Sequence, residues 1–449
     1  MKYFYLTKYS VNGIKSIDKE MSLSFYKKTI TKTLDTQNYH VKGIYGMNGS
    51  GKSAIINSVD ILKNIIMDDD YLKNPFIQKE LNELINKKQN QLYLKVEFLC
   101  DLGDLVTLHE YQVTIAKNQT DKYIISNESL YQKNALSRSQ KRNCIFEITN
   151  GEIQYLCQND NFAQMMIDKT KNLLEISTLS SLYLKNLVNE VFDESSINHF
   201  LGSNVLLLYA FSNCIHVCLD QQDTHTDYFY KMFIDHYDDN HIFSKKFFID
   251  YIEKSNSINL LVPQEMKIPQ SMFDDFKDEV IQLESFLKLF KTDLNKISID
   301  RKEMKDYYIC HLVMTYKDYS ISAEFESTGI KKLIKLFVYL KEMVNGKIVF
   351  IDEFDSNLHD VYLCALLEYL MNYGKGQLCF TTHNIGPMDI LKRNKQSIDF
   401  LSTNHKIYSW KNNGHYSPSR LYKDGMIEGS PFNIDAIDFI GVLDSIEEN

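Results

Sequence analysis

The chain is poor in residues that break or staple structure. Its 449 residues include 6 prolines and 17 glycines, too few for a collagen-like, linker-dominated or largely disordered protein. Eight cysteines with no C-x-x-C pair argue against a disulfide scaffold and for free thiols in a reducing cytoplasm. The nearest pair, Cys214 and Cys218, falls in the apolar run Val205–Cys218, where a helix would place both on one face as buried thiols. Excess positive charge is also missing. A net charge of −9 argues against coating nucleic acid or anionic membrane through the overall field, and leaves a local basic groove open. No run is long enough to span a bilayer: VLLLYAFSNCIHVC is too short and too polar. The start, MKYFYLTKYSVNG, has no apolar core of a signal peptide. Repeats and sustained heptads are absent, so a long coiled coil is not supported. What is present, 44% hydrophobic and 24% charged residues, suits a globular protein of one large domain or two to three smaller ones.

Alternating, aromatic-rich segments at 2–11 and 21–26 predict strands, and a third near Tyr39–Tyr45 runs into GMNGSGKS and then a helical pattern from Ala54. LYLKVEFLC and LHEYQVTIA alternate again. From 119 to 292 the texture changes to polar stretches with apolar runs at Phe162–Leu174, Leu179–Val191 and Val280–Phe290, which predicts a mostly helical insertion. Strand patterns return at 296–300, 307–316 and 319–325. A helix with Ile330, Leu333, Ile334, Phe337, Leu340 and Met343 on one face follows, then the apolar strand Ile348–Ile351, a helix over 359–373 and the strand Leu378–Thr381. Unbroken apolar strands between helices indicate a parallel sheet covered on both faces. The fold class is therefore α/β. One mixed-sheet domain is assembled from 1–118 and 293–449, with 119–292 inserted.

Gly46-Met47-Asn48-Gly49-Ser50-Gly51-Lys52-Ser53 satisfies G-x-x-x-x-G-K-[ST] between a strand and a helix, a pattern expected by chance in such a chain on the order of one time in a hundred. Glycines let backbone N–H groups turn inward around phosphate oxygens, helped by the helix N-terminus at Ser53 and Ala54. Lys52 is expected to reach the β- and γ-phosphates of ATP, and the Ser53 hydroxyl to ligate Mg²⁺. Ile348–Ile351 ends in Asp352-Glu353. An apolar strand cannot bury an acid pair without partners, so both acids belong at its C-terminal edge, where ligands of open α/β sheets bind. Asp352 is expected to hold Mg²⁺ through water and Glu353 to polarise the attacking water. His383, in Leu378-Cys379-Phe380-Thr381-Thr382-His383-Asn384, suits γ-phosphate sensing better than a purely structural role. Ser327, in Glu326-Ser327-Thr328-Gly329, is either a plain N-cap or part of an anion site at a helix start.

This order of motifs resembles the ABC-type ATPase heads of SMC and RecF proteins and of double-strand-break repair ATPases. It is similar in particular to the bacterial OLD-like AAA-family ATPases of phage-defence and abortive-infection operons, such as the ATPase subunits of the PARIS and Septu systems. Gly13-Ile14-Lys15-Ser16-Ile17 looks like that family's N-F-[KR]-S-[IF] element, with Gly13 in place of Asn. The FLKLFKTDLNKISI stretch and Asp355-Ser356-Asn357-Leu358-His359 also fit. The resemblance implies two heads clamped head-to-tail around two ATP molecules. Ser327 and Gly329 would then touch the γ-phosphate held by the opposite subunit's Lys52 and Ser53. It further implies that Asp355 lies in a loop crossing the dimer interface, that His383 is a switch histidine and that Lys15 contacts phosphate in its own subunit. A glutamine linking Mg²⁺ to the insertion is expected at Gln78, with Gln91 the rival. EST-G-I in place of L-S-G-G-Q argues against a transporter head.

Too few residues follow His383 for the metal-dependent nuclease domain that OLD-family nucleases append. Asp68-Asp69-Asp70 and Asp238-Asp239 suggest solvated surface rather than its carboxylate cluster. The expectation is thus a Mg²⁺-dependent ATPase, forming a homodimer or higher homo-oligomer, that senses a phage trigger protein and controls a separate nuclease or toxin. A RecF-like or SMC-like ATPase driven by DNA is the alternative, and a nucleotide-binding structural module with little turnover is a third reading. Lys27-Lys28 with Lys32, Arg138 with Lys141-Arg142, and Lys245-Lys246 suggest solvated surface, as do Lys331-Lys332 with Lys335, which also lie on the Ser327 helix and offer positive potential near ATP.

Overall fold

The computed structural model describes residues 4–27, 29–30, 34–101, 103, 105–137, 141–158, 161–188, 199–219, 261–411 and 416–430. Asp238, Asp239, Lys28, Lys32, Arg138, Lys245 and Lys246 lie outside them, as do the last residues of the expected helix Leu179–Val191.

The described chain begins with the hairpin β1 (Phe4–Asn12) and β2 (Met21–Ser24). Strand β3 (Val41–Gly46), buried along its whole length, leads into α1 (Lys52–Met67). After α2 (Pro75–Leu84) come β4 (Gln91–Asp101), β5 (Val106–Lys117), β6 (Tyr123–Asn134), β7 (Asn143–Thr149) and β8 (Glu152–Leu156). Helices α3 (Asn161–Thr170), α4 (Leu179–Val188) and α5 (Phe200–Asn213) precede β9 (Ile215–Cys218). Next are β10 (Met266–Pro269), α6 (Phe273–Lys288), β11 (Lys296–Glu303), β12 (Tyr307–Thr315), β13 (Ser320–Ser322) and α7 (Thr328–Asn345). The last part runs β14 (Ile348–Ile351), α8 (Asp360–Tyr373), β15 (Gln377–Thr381), α9 (Met388–Leu391), β16 (Ile398–Leu401), β17 (Ile407–Ser409) and α10 (Pro418–Lys423).

These strands form three sheets in a mixed α/β protein. The central one has the order β17-β16-β3-β15-β14-β9; all its pairs are parallel except β16 with the edge strand β17. Buried on both faces, β3, β14 and β15 read as the continuous apolar runs that a covered parallel sheet requires. One face packs on α1 and α5 and on the antiparallel sheet β2-β1-β4-β5-β6-β7-β8. Leu336, Leu340 and Met343 of α7 and Leu363, Leu367 and Leu370 of α8 cover the other. The opposite flank of α7 packs with α6 on the third sheet, β10-β12-β11.

A side-chain amide locks the first two sheets together. Gln377 at the start of β15 accepts the Leu6 N–H at 2.7 Å and donates to the Leu6 carbonyl at 2.9 Å, beside the irregularity between Leu6 and Lys8 in the pairing of β1 with β4. Between neighbouring strands, Lys42 on β3 and Asp399 on β16 form a fully buried ion pair of 2.7 Å. The Ser409 hydroxyl, 2.6 Å from Asp399, and the Gln396 carbonyl, accepting from Lys42, complete its hydrogen bonding.

Three expectations need correction. The segment 119–292 is not mostly helical throughout, because β6, β7 and β8 occupy 123–156 and extend the antiparallel sheet begun by β4 and β5. Their polar residues alternate with Ile125, Leu130, Ile145 and Phe146, which are fully buried, so each strand covers the core with one face only. Cys214 and Cys218 do not share a helix face. The run breaks after Asn213, Cys214 caps α5 and Cys218 ends β9; both are buried thiols, and none of the eight cysteines is in a disulfide. Asp69 is buried rather than solvated, with its carboxylate paired to Lys185 and its carbonyl accepting from Ser177 at 2.6 Å. Among the described residues no helix is long and apolar enough to cross a membrane.

Candidate functional site

Three neighbouring parallel strands, β3, β15 and β14, end at one edge of the central sheet. Their C-terminal ends deliver the phosphate loop, the His383 loop and the Asp352-Glu353 pair, so residues from both ends of the chain meet where open α/β sheets bind ligands.

Gly51 is the N-cap of α1 with φ +103°, a left-handed conformation that favours glycine, and no side chain caps the helix. The first-turn N–H groups therefore face outward for an anion. The Ser50 hydroxyl, buried in the loop, has no hydrogen-bond partner. Lys52 folds back over the loop and donates to the carbonyls of Gly46 at 2.9 Å and Met47 at 3.1 Å. Burial lowers its pKa, while the carboxylates of Asp352, Glu353 and Asp355 pull it up. That coupling places the lysine and all three acids in one electrostatic cluster.

The turn carrying Lys15 abuts this loop: a Cβ on Gly51 would lie 3.1 Å from Ile17 Cγ1 and 3.7 Å from Ser16 Oγ. Lys15 itself has φ +46°, with its N–H donating to Leu84 at 2.6 Å and its carbonyl accepting from Asn86 at 2.7 Å. Position 13 needs a glycine for a steric reason. Its φ is +90°, and an added Cβ would sit 1.9 Å from the Gln91 carbonyl oxygen.

Asp352 is buried at the end of β14, and its Oδ1 accepts the Thr381 hydroxyl at 2.6 Å. The same Thr381 oxygen accepts the Glu353 N–H at 2.8 Å. Glu353 has φ +47°, which costs a non-glycine residue on the order of 1 kcal/mol and persists only where the surroundings enforce it. Thr381 holds its N–H, and Lys332 of α7 reaches its carbonyl at 3.2 Å. Lys332 is thus buried behind the acid pair, not solvated, and Lys335 similarly donates to the Leu219 carbonyl at 2.6 Å. Arg142 is likewise engaged, with Glu97 at 3.1 Å and with Glu110.

His383 stands exposed at the rim. Desolvation and the Lys52 charge lower its pKa, opposed by Asp355 and Asp352. Asp355 Oδ2 accepts the backbone N–H groups of His383 at 3.3 Å and Asn384 at 3.1 Å, joining the loop after β14 to the loop after β15. Ser327 is the N-cap of α7 and accepts the Ile330 N–H at 3.4 Å, with its side chain otherwise exposed. Glu326, just before it, is held by the Tyr316 hydroxyl of the third sheet's β12 end and accepts the Ser327 N–H at 3.2 Å. Gly329 faces the loop after the acids, where an added Cβ would lie 2.9 Å from the Asn357 carbonyl.

Gln78, expected beside Mg²⁺, has a structural task. Its amide donates to the carbonyls of Leu72 at 2.8 Å and Tyr123 at 3.0 Å, and accepts the Tyr123 N–H at 2.8 Å, tying α2 to β6. Gln91 starts β4 against Gly13, beside the Lys15 turn. Thr381 and Lys332 escape sequence reading because each acts through backbone or side-chain contacts that no spacing encodes.

The residues suit Mg·ATP. The unpartnered Ser50 hydroxyl, the uncapped helix start and Lys52 offer donors to phosphate, and Ser53 with Asp352 offers the hard oxygens that Mg²⁺ prefers. Among the described residues no group of three or more His, Cys, Asp and Glu is placed to hold a metal. Compared with protein-family profiles and with curated proteins, the chain shows no match.

Proposed function

We propose that the protein is a Mg²⁺-dependent ATPase of the ABC type, with a head like those of SMC and RecF proteins. The convergence of Lys52, Asp352, Glu353, Asp355 and His383 at one sheet edge carries this reading. A Mg²⁺ ion held by Ser53 and, through water, by Asp352 would supply charge neutralisation for the phosphates. Lys52 and the phosphate-loop N–H groups orient the β- and γ-phosphates. Glu353 accepts a proton from the water whose oxygen attacks the γ-phosphorus, the β–γ bridge bond breaks, and ADP and phosphate leave. His383, neutral at pH 7, donates a hydrogen bond toward the γ-phosphate.

The second half of the reading is assembly. The exposed Ser327 and the start of α7 are available to another subunit, and closure of two heads would exclude water from the γ-phosphate. ATP would then hold a homodimer together and hydrolysis would release it, so the protein acts as a cytoplasmic sensor or scaffold controlling a separate nuclease or toxin in anti-phage defence. The DNA-driven repair ATPase remains the competing outcome. Nucleotide titration and phosphate release, each with and without duplex DNA, test both parts. Lys52→Ala should abolish ATP binding, and wild-type affinity in that variant would refute the reading. Strong DNA stimulation would favour the repair class.

A further inference from the structure

We propose that Asp355 is a positioning residue acting within its own subunit, setting His383 through the backbone of the histidine loop. This inference rests on the ATPase reading and departs from the interface-crossing role that the resemblance implies for Asp355. Both anchoring hydrogen bonds converge on one carboxylate oxygen: Oδ2 takes the N–H of His383 at 3.3 Å and of Asn384 at 3.1 Å. The other oxygen, Oδ1, is buried without a hydrogen-bond partner, so the carboxylate is gripped from one side only. The rest of the histidine loop is built around the same contact. Asn384 also donates through its N–H to Thr382 Oγ1 at 2.9 Å and through its amide to Asp360 at 2.6 Å, while its own oxygen accepts the Gly386 N–H at 2.9 Å. Asp355 therefore ties the turn that strains Glu353 to the turn that aims His383, two residues after the water-polarising acid.

A chemical consequence separates this role from the alternatives. Accepting two N–H groups at one oxygen requires an acceptor and no charge, so an asparagine with its amide oxygen in the Oδ2 position can do the same work. A metal ligand or an anion facing a partner subunit requires the charge, and asparagine would fail there as alanine does.

The test is steady-state ATP hydrolysis by full-length Asp355→Ala and Asp355→Asn, with backbone hydrogen exchange on the same samples. Asp355→Ala should lower kcat about tenfold to a hundredfold with KM for ATP unchanged, because a misaimed group costs rate rather than ground-state binding. Asp355→Asn should recover most of kcat. In Asp355→Ala the amides of His383 and Asn384 should exchange faster, whether or not the protein hydrolyses ATP, so failure of the ATPase reading is distinguishable from failure of this one. Asp355→Val, which has no acceptor for either N–H, replaces the alanine variant should that one not fold. Unchanged kcat in Asp355→Ala or Asp355→Val, an Asp355→Asn variant as slow as either, or unaltered exchange at His383 and Asn384 would overturn the proposal.

Discussion

Asp352 accepts the hydroxyl of Thr381 at 2.6 Å across two neighbouring parallel strands, and the same hydroxyl oxygen accepts the Glu353 N–H at 2.8 Å. One threonine thereby orients the acid assigned to the metal and fixes the backbone of the acid assigned to water. Thr381→Val keeps the shape and removes both hydrogen bonds. Turnover should fall on the order of 10–100-fold, the usual cost of losing a partner that orients a metal-site carboxylate. Phosphate release by this variant checks the expectation, and wild-type turnover would contradict it.

Glu128 lies buried under α4, accepting the Tyr111 hydroxyl at 3.0 Å and the Leu179 N–H at 3.1 Å. Burial raises its pKa to about 7, an effect its two hydrogen bonds only partly offset. The folded state therefore favours the protonated carboxyl. Its contribution to stability is full below the unfolded pKa and is lost as pH rises through about 7. Glu128→Gln keeps an acceptor for Leu179 and stays neutral. It should raise stability at pH 8 by on the order of 2 kcal/mol and flatten the decline between about pH 5 and 8. Thermal melts across that range decide, and a lower Tm for the variant at every pH would contradict the account.

The Lys42–Asp399 pair, 2.7 Å apart and 1% exposed on both sides, ties β3, the strand leading into the Gly46–Ser53 loop, to β16. Removing one partner strands a buried charge, at a cost of about 3–5 kcal/mol. Lys42→Met and Asp399→Leu should each destabilise by that order, and the double variant by less than either. Denaturant unfolding of the four proteins measures this, with additive losses as the contrary result.

Because desolvation and Lys52 lower the pKa of His383, its ring stays neutral below the ordinary imidazole value of about 6.5. The rate should hold as pH falls through the ordinary imidazole value and decline only at more acid pH, as the ring gains its proton. His383→Gln should remove that acidic limb while leaving weaker, flatter turnover. A wild-type rate that rises as the ring gains its proton would contradict the neutral-ring role.

Local chemistry made the Gly46–Ser53 loop, the Asp352-Glu353 strand end and His383 stand out in the sequence, since each sets a charged or polar residue type at the end of an apolar strand. Sheet strands in the two ends of the chain were legible from alternation or continuous apolar runs. Where the fold escaped notice, the determinants were tertiary. Strand β6, YIISNESLYQKN, reads as a polar stretch because only one face meets the core. Gln377 looks like an ordinary polar residue until Leu6 is brought to it, and Asp355 and Gln78, expected at a dimer interface and beside Mg²⁺, show their contacts only once the His383 loop and Tyr123 are brought to them. Asp69 and Lys332 looked like parts of solvated charge runs, and only their partners, Lys185 and the Glu353 carbonyl, account for their burial.

The most direct test of the central claim is phosphate release from Mg·ATP by wild-type protein and Glu353→Gln, with molecular mass followed by light scattering. The account predicts turnover in the wild type and near-abolished turnover in the variant, which should retain ATP and accumulate as a dimer. Undiminished turnover in Glu353→Gln would contradict it.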